Sequence, residues 1–129
     1  MPASLLIADS SSAMRAVIER AIGIAGLPVS VCHKASDAQQ LLHLVRSREI
    51  DFLLLDTHLT GLNEETWAEA ISATREGAIP FLVTSPDASF IRIERVLQSG
   101  ACDYLLKPFA IPTLCVRLEM MLRTTHANN

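Results

Sequence analysis

The sequence contains few of the residues that mark disulfide-rich, metal-binding and nucleic-acid-binding proteins. Its three cysteines, Cys32, Cys102 and Cys115, are an odd number, with no CxxC spacing and no histidine at ligand spacing. This predicts small buried side chains in a reducing cytoplasm. Only Lys34 and Lys107 are lysines, the arginines are scattered, and the formal net charge is −3. We therefore expect no nucleic-acid binding by this chain alone.

Long apolar segments and targeting signals are also missing. The longest apolar runs span a few residues, whereas a membrane helix needs about 20. The first residues, Met1-Pro2-Ala3-Ser4, lack the basic region and apolar core of a signal peptide. The sequence thus predicts a cytoplasmic domain without a membrane partner. Half of the 129 residues are apolar, which excludes disorder and is enough for one core, so we expect a single domain.

Short apolar runs alternate with amphipathic helical patterns five times along the chain. The runs cover residues 5–8, 29–32, 52–55, 81–83 and 101–106, and the run at 29–32 alternates as a half-exposed edge strand does. Ser36 and Gln39 resemble a capping box that opens the second helix. The residues that mark the five helices are Met14, Val17, Ile18, Ala21 and Ile22; Ala38, Leu41, Leu42 and Val45; Trp67, Ala68 and Ile71; Phe90, Ile93 and Leu97; and the inward-facing Ile111, Leu114, Cys115, Leu118, Met121 and Leu122.

This alternation predicts an α/β fold with a doubly wound, five-stranded parallel sheet between two helix layers. In such sheets ligands bind beyond the carboxyl ends of the strands. The polar residues that follow strands one, three, four and five are Asp9-Ser10, Asp56, Thr84-Ser85 and Lys107. The sequence therefore predicts two carboxylates, a hydroxyl and an ammonium at one edge of the sheet.

Each of these residues also has an ordinary structural role. Asp9 and Ser10 suit helix capping, Asp56 suits an Asx turn, and Ser85 and Lys107 suit a turn and a solvated surface. Such residues at the ends of four strands along one edge of the sheet nevertheless favour a functional site. The chemistry that suits this set is phosphoryl transfer to a carboxylate, because an aspartate can attack phosphorus and form an acyl phosphate. A second acid recruits Mg²⁺, and a lysine and a hydroxyl stabilise the phosphoryl oxygens.

Four segments resemble the receiver domain of two-component response regulators in its short, CheY-like form. They are LLIADSSSAMR, DFLLLDTHLTGLN, IPFLVTSPD and GACDYLLKPF, and the resemblance covers about residues 4–123. It implies one receiver domain over residues 1–129, with a loose tail at 124–129, and the strand order 2-1-3-4-5. It also implies a sensor histidine kinase or phosphotransfer protein as donor, and a downstream protein target or a linked output domain. Catalysis would be limited to self-phosphotransfer and autodephosphorylation.

The same resemblance implies a role for individual residues. Asp56 is the phosphoacceptor, and Lys107, which precedes the family's usual cis-proline, contacts the phosphoryl group. Mg²⁺ is the cofactor, and its ligands are Asp9, Asp56 and the backbone carbonyl of His58. Tyr104 is the switch aromatic. The His58 side chain either reaches the mouth of the pocket or is a solvated loop residue.

Two positions in the pattern need separate treatment. Thr84 and Ser85 are adjacent hydroxyl residues, and the family spacing to Lys107 favours Ser85 as the catalytic and switch hydroxyl. The second acid of the family's metal site is replaced by Ser10, which retains only a hydroxyl for Mg²⁺ or a bound water. Further departures are Leu59-Thr60 and Asn63-Glu64, where the family usually has Met-Pro and Asp-Gly.

Two alternatives remain open from the sequence. The first is a pseudo-receiver that acts as an interaction module without productive phosphorylation. Ser10 favours this alternative, whereas the residues that match the family pattern oppose it, namely Asp9, Asp56, Ser85 and Lys107. The second is a flavodoxin-like FMN protein, in which residues 10–12 cradle a phosphate at a helix N-terminus. Few aromatic residues are present to flank a flavin, and that reading leaves Asp56 and Lys107 unused. The sequence leaves open whether the receiver acts alone or belongs to a longer protein.

Overall fold

The computed structural model describes residues 2–127, in which five parallel strands form one sheet. The strands are β1 (Ala3–Ala8), β2 (Val29–Ala35), β3 (Phe52–Asp56), β4 (Phe81–Ser85) and β5 (Asp103–Leu106). Their order is β2-β1-β3-β4-β5, and every neighbouring pair is parallel. The predicted fold class and strand order are confirmed. The edge strand β2 extends three residues beyond the predicted run, to Ala35.

Five helices alternate with the strands. They are α1 (Ser12–Ala25), α2 (Ala38–Arg46), α3 (Glu64–Gly77), α4 (Phe90–Gln98) and α5 (Ile111–Ala127). One apolar core packs α2, α3 and α4 against one face of the sheet, and a second packs α1 and α5 against the other. Because side chains alternate along a strand, neighbours such as Leu5 and Leu6 enter opposite cores. All residues of β3 and β4 are buried, as expected for central strands covered on both faces.

The N-terminal cap of α2 differs by one residue from the sequence prediction. Asp37, not Ser36, is the N-cap, and its carboxylate accepts a hydrogen bond from the Gln40 amide at 2.9 Å. The Gln40 side-chain oxygen in turn accepts hydrogen bonds from the amide and the hydroxyl of Ser36, at 2.8 and 3.1 Å. The predicted pairing of Ser36 with Gln39 is therefore wrong. Asp37 is an equally good cap and stands three residues before a glutamine that can reach back.

Several apolar residues that mark the helices are exposed. They are Val17, Ala68, Phe90, Leu97 and Ile111. For Ile111 the expectation of an inward side chain is wrong, because it lies at the start of α5 before that helix meets the sheet. Cys102 is exposed as well, whereas Cys32 and Cys115 are partly buried. Residues 124–127 continue α5 where a loose tail was expected, and residues 128–129 lie outside the described part.

Within residues 2–127, no helix has both the length and the apolar character that crossing a membrane requires. The peptide bond between Lys107 and Pro108 is cis, as the resemblance implied.

Candidate functional site

Two buried carboxylates stand side by side at the carboxyl edge of the sheet. Asp9 follows β1 and Asp56 ends β3, and these strands are paired so that Ala8 lies opposite Leu55. The next residue on each strand is therefore an aspartate at the same level. Both are only 5% exposed. Buried like charges are unfavourable unless a cation lies between them.

That cation is Lys107, which follows β5, a strand separated from β3 by β4. Its ammonium donates to Asp9 Oδ2 at 2.7 Å and forms a second ion pair with Asp56 Oδ2. Burial tends to raise the pKa of Asp9, but hydrogen bonds from Lys107 and the Ser11 amide outweigh burial and hold it below its usual value. Burial tends to lower the pKa of Lys107, but its bonds to Asp56 and Asp9 raise it overall. Asp9 and Lys107 are therefore both charged at neutral pH.

Backbone amides fix the two remaining carboxylate oxygens. Asp9 Oδ1 accepts from the Ser11 amide and Asp56 Oδ1 from the His58 amide, both at 2.8 Å. Asp56 thus forms the Asx turn that the sequence allowed, but its other oxygen remains in the ion pair. The cap of α1 is Ser11, whose hydroxyl accepts from the Met14 amide. Asp9 and Ser10 are therefore not required as caps of this helix.

Ser10 is turned toward the neighbouring loop. Its hydroxyl oxygen accepts a hydrogen bond from the Thr60 amide at 2.8 Å and lies 3.0 Å from the Thr60 hydroxyl. Thr60 also accepts from the Ala38 amide through its carbonyl. Ser10 therefore connects the loop after β1 to the loop after β3 and to the start of α2. The contact with Thr60 gives the Ser10 hydroxyl a structural role that does not require it to bind a metal.

The acid pair has the composition of a site for a hard cation. Asp9 and Asp56 bring two negative charges against the single positive charge of Lys107. Each carboxylate oxygen keeps a lone pair beyond the one hydrogen bond described for it. Mg²⁺ prefers such oxygens together with carbonyls and water. Among the described residues no cluster of three or more His, Cys, Asp or Glu side chains is found, so a third carboxylate, imidazole or thiolate ligand is not present beside this pair. The residues fit Mg²⁺ in this reduced form.

Ser85 is the second of the two adjacent hydroxyl residues that end β4. It is fully buried, and its oxygen accepts from the Thr57 hydroxyl at 2.7 Å and from the Asp87 amide at 3.1 Å. Asp87 in turn accepts, through its carbonyl, the Tyr104 hydroxyl at 2.6 Å. The ring of Tyr104 packs partly buried against the core on the α3 and α4 side. Ser85 and Tyr104 are therefore joined through one residue of the loop before α4.

Sequence reasoning missed three contributors to the site. Thr57 and Asp87 hold the Ser85 hydroxyl, and Arg15 donates from Nη1 to the Asp9 carbonyl at 2.7 Å. Thr57 directly follows Asp56, and a hydroxyl at that position was the one available signal. The His58 side chain, by contrast, is exposed, so its link to the site is the amide that binds Asp56.

Comparison with known proteins identifies the family. The sequence model of the response regulator receiver domain family matches residues 5–119. Response regulator MprA from Mycolicibacterium vanbaalenii is 30% identical over 125 residues, which cover 97% of this chain and 52% of that protein. The chain thus spans about half the length of such relatives.

Solved structures agree in fold. The Francisella response regulator 1452 receiver domain superposes with a TM-score of 0.78 at 25% identity, covering 95% of this chain and 98% of that one. A CheY-like receiver domain protein from Methanospirillum hungatei gives a TM-score of 0.82 at 17% identity over the full length of both chains. The flavodoxin-like FMN alternative receives no support. The chain belongs to the response regulator receiver domain family and is a signalling domain of two-component systems.

Proposed function

We propose that this domain accepts a phosphoryl group on Asp56 from a sensor histidine kinase or a phosphotransfer protein. The observation that carries the proposal is the buried Asp56 carboxylate paired with Lys107 at the carboxyl edge of the sheet. An Asp56 oxygen attacks phosphorus, the new O–P bond forms, and the P–N bond to the donor histidine breaks with the electron pair leaving on nitrogen. The product is an acyl phosphate.

The neighbouring residues have distinct roles in this transfer. Lys107 moves its charge from the Asp56 carboxylate to the phosphoryl oxygens, and Ser85 donates its hydroxyl hydrogen to one of them. The His58 amide keeps the other Asp56 oxygen in place. Asp9, Asp56 and the His58 carbonyl would hold Mg²⁺, whose charge stabilises the phosphoryl oxygens when it is bound. Ser10 is assigned to the loop contact with Thr60 and not to the metal.

The same step supplies a switch. A phosphoryl group on Asp56 draws the Ser85 hydroxyl inward, which releases the Asp87 amide and loosens the loop that holds Tyr104. The surface beside Tyr104 carries exposed apolar residues of α4 and β5, namely Phe90, Ile91 and Leu106. We assign this surface to the downstream protein target or a linked output domain. The partner recognises the altered position of Tyr104 on this surface.

The domain's proposed catalysis is limited to self-phosphotransfer and autodephosphorylation, and we propose no nucleic-acid contact of its own. Its proposed location is the cytoplasm. The three cysteines are free thiols, which suits a reducing compartment. Desolvation and the adjacent Asp103 carboxylate raise the pKa of Cys102 to about 11, so this exposed residue carries little reactive thiolate.

The test is the intact mass after incubation with acetyl phosphate and Mg²⁺. The parent should gain one phosphoryl group and Asp56→Asn should gain none, because the amide cannot attack phosphorus. Asp51→Asn is the matched control, since this exposed aspartate precedes β3 at its opposite end and the one hydrogen bond described for its carboxylate comes from the Ser4 amide. Labelling of Asp56→Asn would contradict the acceptor assignment. A parent that gains no mass would favour the pseudo-receiver instead.

A further inference from the structure

The hydroxyl of Ser85 is held by two donors that belong to different loops. Thr57 donates from its side chain at 2.7 Å and Asp87 from its amide at 3.1 Å. A hydroxyl oxygen has two acceptor positions, so both are filled and only its own hydrogen remains to be donated. Because Ser85 is fully buried, water does not readily replace a donor that is lost. The position of this hydroxyl is therefore set by its protein partners.

Thr57 is itself anchored between the two central strands. It directly follows the acceptor Asp56, and its amide donates to the Thr84 carbonyl at 3.0 Å. Its side chain is half-buried, and the one hydrogen bond described for its hydroxyl is the bond to Ser85. Thr57 therefore links the backbone next to the phosphoacceptor with the hydroxyl that moves in the switch.

We propose that Thr57 is a positioning residue that holds Ser85 in its resting place and thereby sets how much phosphoryl signal is needed to switch the domain. This inference rests on the proposed function, since it assigns Ser85 a movement toward a phosphoryl group on Asp56. When Ser85 moves, its bond from Thr57 is broken. The Thr57 hydroxyl thus stabilises the resting state and adds nothing to the switched state.

A bond present in one state only changes the population of the two states by its net free energy. Removing a typical buried hydrogen bond shifts such an equilibrium by about three- to tenfold. The apparent affinity of a ligand that selects the switched state rises by the same factor while that state is the minor one. Loss of the Thr57 hydroxyl should therefore make the domain more sensitive to a phosphoryl mimic.

The experiment is a titration of the full chain with beryllofluoride in the presence of Mg²⁺, followed by the NMR amide signals of Asp87 and Tyr104. Thr57→Val should lower the midpoint about three- to tenfold. Thr57→Ser, which restores the hydroxyl, should return to the parent midpoint. Thr57→Ala removes the same hydroxyl and replaces Thr57→Val if that variant does not fold. The matched control is Thr74→Val, because Thr74 is buried in α3 with its hydroxyl on the Ile71 carbonyl.

The Ser85→Ala background isolates the pair. In that background the response no longer reaches Asp87, so binding is followed by the amide signal of His58, which bonds Asp56. There Thr57→Val should have no further effect on the midpoint, because the bond it removes is already lost. The inference is overturned if Thr57→Val leaves the parent midpoint unchanged or raises it, or if Thr57→Ser shifts it as much as Thr57→Val does. It is also overturned if the Thr57→Val effect persists in the Ser85→Ala background. A parent that gives no response to beryllofluoride overturns the proposed function itself, and the role of Thr57 with it.

Discussion

Lys107 is the residue on which the charge balance of the pocket depends. Its side chain is only 19% exposed, and the side chains of Asp9 and Asp56, which it contacts, are 7% and 6% exposed. The lowered pKa of Asp9 stabilises the fold above its ordinary value of 3.8, and this contribution is lost as pH falls through the lowered pKa. The raised pKa of Lys107 stabilises the fold below its ordinary value of 10.5 and is lost as pH rises through the raised pKa. Both contributions are complete between these two ordinary values.

We therefore expect Lys107→Met to destabilise the domain in a pH-dependent way. At pH 7 the variant leaves two buried carboxylates without a cation, which should lower the free energy of unfolding by about 2–4 kcal/mol. The deficit should shrink toward pH 4, because the uncompensated pair takes up a proton at higher pH than isolated carboxyls do. Urea unfolding at both pH values measures this difference.

The other lysine of the chain provides the control for that measurement. Lys34 forms a surface pair with Glu19, and both side chains are more than 40% exposed. Lys34→Met should change the free energy of unfolding by less than about 1 kcal/mol at either pH. A Lys107→Met deficit that is equal at pH 7 and pH 4 would show that lost packing, and not lost charge, causes it.

At the level of single residues, the sequence predicted that Asp9, Asp56 and Lys107 meet, but not how the side chains around them are oriented. Asp9, Asp56, Ser85 and Lys107 lie at or just after the carboxyl ends of parallel strands, and these ends share one edge of the sheet. The rotation of Ser10 toward Thr60, 50 residues away, depends on the shapes of two loops. No local pattern encodes that geometry. The bond from Thr57 to Ser85 was missed for the same reason.

At the level of elements, α4 is the helix with the weakest attachment. Val96 is its one buried residue, whereas α2, which is also nine residues long, buries Ala38, Leu41, Leu42 and Val45. The apolar periodicity predicted both helices, but periodicity is the same whether the apolar side is covered by the sheet or left open. This is why the exposure of Phe90 and Leu97 could not be predicted. The helix that carries part of the proposed output surface thus has a single fully buried residue to anchor it.

We expect the amides of α4 to exchange with solvent at least about tenfold faster than those of α2, since local opening costs less where fewer apolar side chains are buried. Hydrogen exchange of the full chain, read by mass spectrometry at peptide level, makes the comparison within one sample. The equal length of the two helices removes end fraying as an explanation. Equal protection in α2 and α4 would contradict the weak attachment of α4.

At the level of the whole molecule, the strand order could not be predicted from the residues alone. Alternating strands and helices predict a parallel sheet with crossovers, but several orders satisfy that pattern. The order 2-1-3-4-5 came from the resemblance, and the structure confirms it. This order is what places β1 beside β3, and so brings Asp9 next to Asp56. The strand order therefore places two negative charges side by side within the fold. Because a bound cation reduces their repulsion, Mg²⁺ should raise the stability of the fold.

The Ser10→Asp variant tests whether the thermal stability of the whole domain depends on the metal. A third carboxylate repels Asp9 and Asp56, so the variant should melt at a lower temperature than the parent in EDTA. The added charge should also tighten Mg²⁺ binding by about tenfold, so the melting temperature should rise at lower Mg²⁺ concentration than in the parent. The carboxylate can still accept from the Thr60 amide that Ser10 now binds, so the loop contact is kept. Ser10→Asn is the neutral control, and identical Mg²⁺ dependence in the two variants would place residue 10 outside the influence of the metal.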